Sequence, residues 1–118
     1  MERNQCSLKT LDITAVNYGQ QETEKKEKAM FFNFCVKYHP QRKIWKITKR
    51  YSDFDQLRQK MLKSIKELPG LPKKHLFRLK KEKDLTNRMK GLELFLKTMI
   101  ARQDVFTNED FIQFLEVS

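Results

Sequence analysis

Residues 44–57 read IWKITKRYSDFDQL, and the spacing of their apolar residues changes partway along. From Ile44 to Lys49 polar and apolar residues alternate. Trp45 and Ile47 share one face and Lys46 and Thr48 the other, which is the pattern of a half-buried strand. Past Ser52 the spacing lengthens. Phe54, Leu57, Met61, Ile65 and Leu68 recur every three or four residues, as on an amphipathic helix. Ser52-Asp53-Phe54-Asp55 has the form of a capping box, with carboxylates in the positive first turn. A strand therefore hands over to a helix at Arg50-Tyr51.

Toward the N-terminus, Phe32, Phe34, Val36 and Tyr38 alternate with Asn33, Cys35 and Lys37, a second strand. His39-Pro40-Gln41-Arg42 is the turn between the two. Leu8, Leu11, Ile13 and Val16 mark an earlier strand. Gly19 to Lys28 is polar, mixed in charge and without an apolar stripe, so it reads as a long hairpin loop. Three strands joined by hairpins make an antiparallel meander.

Toward the C-terminus, Pro69 ends the first helix. Leu68-Pro69-Gly70-Leu71-Pro72 is extended, because each proline disfavours helix in the residue before it. A second helix from about Asp84 to Arg102 carries the stripe Leu85, Met89, Leu92, Phe95, Leu96 and Met99. Thr107 caps a short last helix that turns Phe111, Phe114 and Leu115 inward. Strands first and helices after predict an α+β fold: a three-stranded antiparallel sheet packed against a helical subdomain with a proline-rich extended loop.

The 118 residues make one domain, residues 1–118, which reads as part of a longer protein. Nine phenylalanines separate the chain from disordered basic tails. Its longest apolar run, Ala29 to Phe32, is far short of the ~20 residues of a membrane-spanning helix. The first 18 residues hold no apolar signal-peptide core. Cys6 and Cys35 are too few for a disulfide scaffold or a four-ligand zinc site, and read as reduced thiols of a cytosolic protein. Neither metal nor cofactor is expected. Gly19, Gly70 and Gly91 stand apart and form no phosphate cradle, His39 and His75 are distant, and there is no nucleophile elbow, so the chain does not read as an enzyme.

Charge directs the functional reading. Twenty-five Lys and Arg against 15 Asp and Glu give a net +10, which calls for an anionic partner. Lys73 to Lys83 carries six basic residues and one Glu, and Arg42 to Arg50 carries five and no acid. Arg88 lies four, seven and eleven residues before Leu92, Phe95 and Met99, so it continues the apolar stripe. An inward guanidinium needs an anionic partner, and the free N–H groups of a helix start also favour an anion there. Lys49-Arg50-Tyr51 sets a basic fork beside a ring, suited to phosphate and to the face of a cyclitol.

These residues resemble the PX (phox-homology) domain of the sorting nexin type. The family's basic-Arg-Tyr-x-x-Phe-x-x-Leu signature matches Lys49 to Leu57. Its proline segment ending in Pro-x-Lys matches Leu68 to Lys74, and its Arg before a helical Leu-x-x-Phe-Leu matches Arg88 to Leu96. The likeness covers nearly the whole chain. It implies a module that binds phosphatidylinositol 3-phosphate and targets its protein from the cytoplasm to endosomal membranes as a peripheral protein. Arg50 would hold the 3-phosphate, Tyr51 would pack under the inositol, and Arg88 would bond the 4- and 5-hydroxyls. Lys74 would meet the 1-phosphate by its Pro-x-Lys spacing, with Lys73 adjacent. Leu76 and Phe77 would be the membrane-inserting tip, and Lys49, Lys73 and Arg78 auxiliary basic residues facing the anionic lipid surface. Lys49 stands where Arg is common, and Leu71-Pro72 replaces a frequent Pro-Pro.

Two other readings stand beside this one. Pro69-x-x-Pro72-x-Lys74 spells a proline-rich ligand, so the chain could dock a protein partner through this loop. A basic α+β domain with aromatics also suggests nucleic acid, but Ala29 to Tyr38 lacks the glycines of an RNA-recognition sheet, and no nucleic acid is expected.

Overall fold

The structure is a computed structural model and describes residues 11–73 and 81–117. Three strands, β1 (Leu11–Glu22), β2 (Lys28–Tyr38) and β3 (Lys43–Arg50), form an antiparallel sheet in the order β1-β2-β3. Four helices follow: α1 (Tyr51–Met61), α2 (Glu82–Ile100), α3 (Gln103–Phe106) and α4 (Glu109–Phe114). The predicted α+β architecture holds: among the described residues every strand precedes the α-helices, and a 3-10 turn, His39–Gln41, links β2 to β3.

The sheet's inner face is the one the alternation marks. Phe32, Phe34, Val36 and Ile47 are buried, and Trp45 is half-buried. Phe54 of α1 sits at the centre of the core. Its ring meets Phe34, Phe95 and Phe114 edge-on at centroid distances of 5.8, 6.2 and 4.9 Å. Such aromatic pairs contribute about 0.5–1.5 kcal/mol each beyond their buried area. The Trp45 indole N–H donates to the Leu115 carbonyl at 2.8 Å, fastening the end of the described chain to β3. On β1 the register slips between Ala15 and Asn17, which leaves Val16 as an exposed bulge. There the Ala15 N–H donates to Glu93 Oε2 of α2 at 2.7 Å, so a carboxylate caps part of the free edge of β1.

The local reading is corrected at four places. Gly19 to Lys28 is not one long loop. The β1–β2 ladder runs on to the pair Glu22 and Lys28, and only Thr23 to Glu27 turn, closed by a Thr23 N–H bond to the Glu27 carbonyl at 2.7 Å. Backbone ladder bonds need no apolar stripe, so a polar ribbon can extend a sheet. The first helix ends at Met61, well before Pro69, although Ile65 and Leu68 still pack on the core. The capping carboxylate belongs to Asp53, which accepts from the Arg50 N–H at 2.9 Å; the helix therefore starts one residue before Ser52. The last helix is capped by Asn108, whose Oδ1 accepts from the Phe111 N–H at 3.1 Å, while Thr107 closes α3.

Candidate functional site

The junction of β3 with α1 brings three of the singled-out residues together. Arg50 ends β3 and Tyr51 begins α1. Arg88, one and a half turns into α2, lays its guanidinium over the Tyr51 ring at 4.3 Å from the centroid. Its Nη2 donates to the Lys73 carbonyl at 3.1 Å. The Tyr51 hydroxyl donates to the Pro72 carbonyl at 2.6 Å. The two side chains thus stack on each other and both hold the end of the proline segment.

This assembly forms one wall of a cavity of about 280 Å³. Arg50, Tyr51, Ser52, Leu85 and Arg88 line it on the helix side, and Gln20, Lys28, Ala29, Met30 and Phe32 on the hairpin side. Among the described residues three cations and no carboxylate line the cavity, together with apolar side chains. Burial pushes the Tyr51 phenol above its ordinary pKa of 10.0; the Arg88 charge opposes that shift and Asp55 adds to it. Burial also lowers the pKa of Arg88. Near neutral pH Tyr51 therefore stays a protonated donor, and Arg88, a guanidinium, keeps its charge.

The proline segment is held by four side chains from two helices and one linking segment. Arg102 donates to the Glu67 carbonyl and is itself fixed by Asp104, at 2.7 and 3.1 Å. Arg58 donates to the Pro69 carbonyl at 2.8 Å and to that of Leu68 at 3.5 Å. Tyr51 and Arg88 take Pro72 and Lys73. An extended segment cannot satisfy its own carbonyls, so these donors do what a helix or sheet would do. They also occupy the acceptors a polyproline-reading groove would use, which weighs against the protein-docking reading. Gly91 completes the cradle. A Cβ at that position would stand 2.6 Å from Pro72 Cγ, so only glycine admits the proline ring this close to α2.

The other expected residues are placed differently. Lys49 lies on the core side of β3, with Nζ 3.0 Å from Glu116 Oε2 and 4.7 Å from the centroid of the Phe114 ring. At 16% side-chain exposure it is committed there and does not line the cavity with Arg50. The Lys73 side chain is exposed. Lys74, Leu76, Phe77 and Arg78 lie outside the described residues, as do Cys6, Leu8 and His75. Reading the sequence missed Lys28, Gln20 and Met30. The apolar run that opens right after Lys28 was the signal that a strand had already begun there.

The chain is similar to known proteins of one kind. The family model described as PX domain matches residues 37–118. A designed CISK-PX domain, solved by X-ray methods, is 27% identical at a TM-score of 0.77, over 90% of this chain and 99% of that one. The mouse SNX19 PX domain, solved with a bound sulphate ion, is 20% identical at a TM-score of 0.66, over 92% of this chain and 95% of that one, a likeness of fold alone. No curated protein matches the chain. With the family model covering more than half of the sequence and the fold agreeing over 90% of the chain, the chain belongs to the PX domain family, whose members are phosphoinositide-binding modules.

Proposed function

We propose that this PX domain binds phosphatidylinositol 3-phosphate and holds the protein that carries it on endosomal membranes, as a peripheral protein facing the cytoplasm. The observation that carries the reading is the cavity at the β3–α1 junction, where Arg50, Arg88 and a tyrosine ring converge and no carboxylate among the described residues lines the wall. Arg50 takes the 3-phosphate by charge-assisted bonds, the strong kind. Tyr51 offers its ring to the inositol, and Arg88 donates to the 4- and 5-hydroxyls. Lys74, or its neighbour Lys73, meets the 1-phosphate. Leu76 and Phe77 enter the acyl boundary while Arg78 and the remaining basic residues face anionic lipid.

Two kinds of energy divide the work. Micromolar affinity for the headgroup corresponds to about −8 kcal/mol. Each Lys or Arg close to an anionic leaflet contributes about 1 kcal/mol. The pocket selects the lipid, and the surrounding charge lengthens the stay. A panel of vesicles, each carrying one phosphoinositide in a neutral carrier, tests the proposal by co-sedimentation. Retention on 3-phosphate vesicles, with little on those lacking a phosphoinositide, is the expected outcome. Equal retention on all vesicles would overturn it.

A further inference from the structure

The two edges of the sheet are finished differently. α2 packs along β1, and Glu93 accepts from the Ala15 N–H there. β3 pairs only with β2. Among the described residues, no group outside the sheet bonds the backbone of residues 43–48. An edge of this kind presents open N–H and C=O groups, a template for one more strand.

The side chains along this edge are basic around one apolar residue. Ile44 is 66% exposed, more than any other large apolar side chain among the described residues. Trp45 and Ile47 turn to the core, so Ile44 and Lys46 share the outer face, with Lys37 opposite Ile44 on β2. Arg42 and Lys43 are exposed beside them, at the turn. Among the described residues, none of these four cations has a carboxylate partner. Asp12, opposite Lys37 on β1, is bonded to His39 at 2.7 Å.

Place and charge together say what covers the edge. The cavity lies at the Arg50 end of β3, and this patch lies at the other end, by the turn to β2. At a rise of ~3.3 Å per residue, Lys43 is rooted about 23 Å from Arg50 along the strand. Charges in physiological salt are screened over about 8–10 Å, so a ligand in the cavity does not use these cations. A second copy of the chain is a poor occupant, because β3 laid against β3 sets lysines beside lysines. An acidic strand meets the same lysines with opposite charge.

We propose that the open edge of β3 is a docking site for an acidic, extended segment of a partner protein, which joins the sheet as a fourth strand. Main-chain bonds to residues 43–48 hold the segment, and its side chains make it selective. Carboxylates meet Lys43 and Lys46. An apolar residue two positions from the carboxylate at Lys46 covers Ile44. The site is separate from the lipid pocket and stands without it.

Fluorescence anisotropy with the whole chain and a labelled eight-residue peptide of glutamate, valine and threonine tests this. The wild type should bind the peptide saturably at about 0.15 M salt. Lys46→Glu should weaken binding about tenfold or more. Lys90→Glu, the same charge change at an exposed position of α2, should leave it within about twofold. Melting temperatures equal to the wild type check that both variants are folded. Amide exchange followed by NMR should slow several-fold at alternate residues of 43–48 when the peptide is saturating, since every second N–H of β3 faces the edge. A wild type that does not bind, equal losses in the two variants, or binding without alternate protection on β3 overturns the proposal. Lys46→Glu should also keep its retention on phosphatidylserine vesicles within about twofold; a loss there as large as the peptide loss assigns the patch to lipid and overturns it. A dimer in sedimentation that excludes the peptide assigns the edge to a second copy and does the same.

Discussion

Arg88 is a half-buried cation whose partners among the described residues are a ring face, a carbonyl and no acid. Stacking on an aromatic ring contributes roughly 0.5–2 kcal/mol depending on desolvation, which offsets part of the cost of burial and leaves donors for a ligand. The planar fork matters as much as the charge. Arg88→Lys keeps the charge but loses both the stack and the fixed donors. Headgroup affinity should fall about tenfold or more in Arg88→Lys, measured by calorimetry; an unchanged affinity would show that Arg88 acts only as a point charge. Tyr51 has a pH signature of its own. Burial raises its pKa, so the folded state holds the phenolic proton more tightly than the unfolded chain does. The stabilisation this gives is fully present below the unfolded value of about 10 and is lost as the pH rises through the folded value. The stability advantage of the wild type over Tyr51→Phe, from chemical denaturation, should hold level from about pH 7 to 9 and shrink above about pH 10. An advantage that grew with alkalinity would contradict the assignment.

Among the elements, the proline segment is the one that joins fold to site, because the donors that hold Pro72 and Lys73 are also the proposed ligand-binding residues. Gly91 tests that joint from a distance. Gly91→Ala adds helix propensity worth about 1 kcal/mol, while the new Cβ collides with the Pro72 ring. Stability should change little as the two effects oppose, and vesicle binding should weaken several-fold because Tyr51 and Arg88 lose their register with the segment. A binding loss no larger than the stability loss would show that the segment's position does not matter. The same segment marks where sequence reading reaches its limit. Ile65 and Leu68 keep the spacing of a helix but pack on the core from non-helical backbone, since periodicity reports which residues are buried and not the backbone that carries them. The side chains that make the extended path affordable, Arg58 and Arg102, lie 10 and 35 residues from the carbonyls they reach. The strand pattern of Phe32, Phe34 and Val36 and the stripe of α2 were legible because each is a local repeat facing one core.

For the whole molecule, the same distinction separates the legible part of the site from the rest. Arg50 and Tyr51 are neighbours in sequence, and Arg88 is betrayed by its place on an apolar stripe, so local pattern exposes all three. Lys28 reaches the cavity only through the ladder of a polar hairpin that pattern reads as loop. Lys49 shows the converse: it adjoins Arg50 in the motif, yet strand alternation sends it to Glu116 and Phe114. The net +10 is a property of the entire surface. Charges on a surface act through solvent and are screened over about 8–10 Å at physiological salt. Raising salt from about 0.1 to 0.5 M should therefore weaken binding to anionic vesicles more than binding of the soluble headgroup. Equal losses would place the whole electrostatic contribution inside the pocket.

Arg50 is the residue on which the account depends, and its side chain has no part in the core. Vesicle flotation of Arg50→Ala beside the wild type, on membranes containing phosphatidylinositol 3-phosphate and with matched circular dichroism, tests the central claim most directly. The account predicts a folded variant that stays with the soluble fraction while the wild type floats. A folded Arg50→Ala that floats as the wild type does would contradict it.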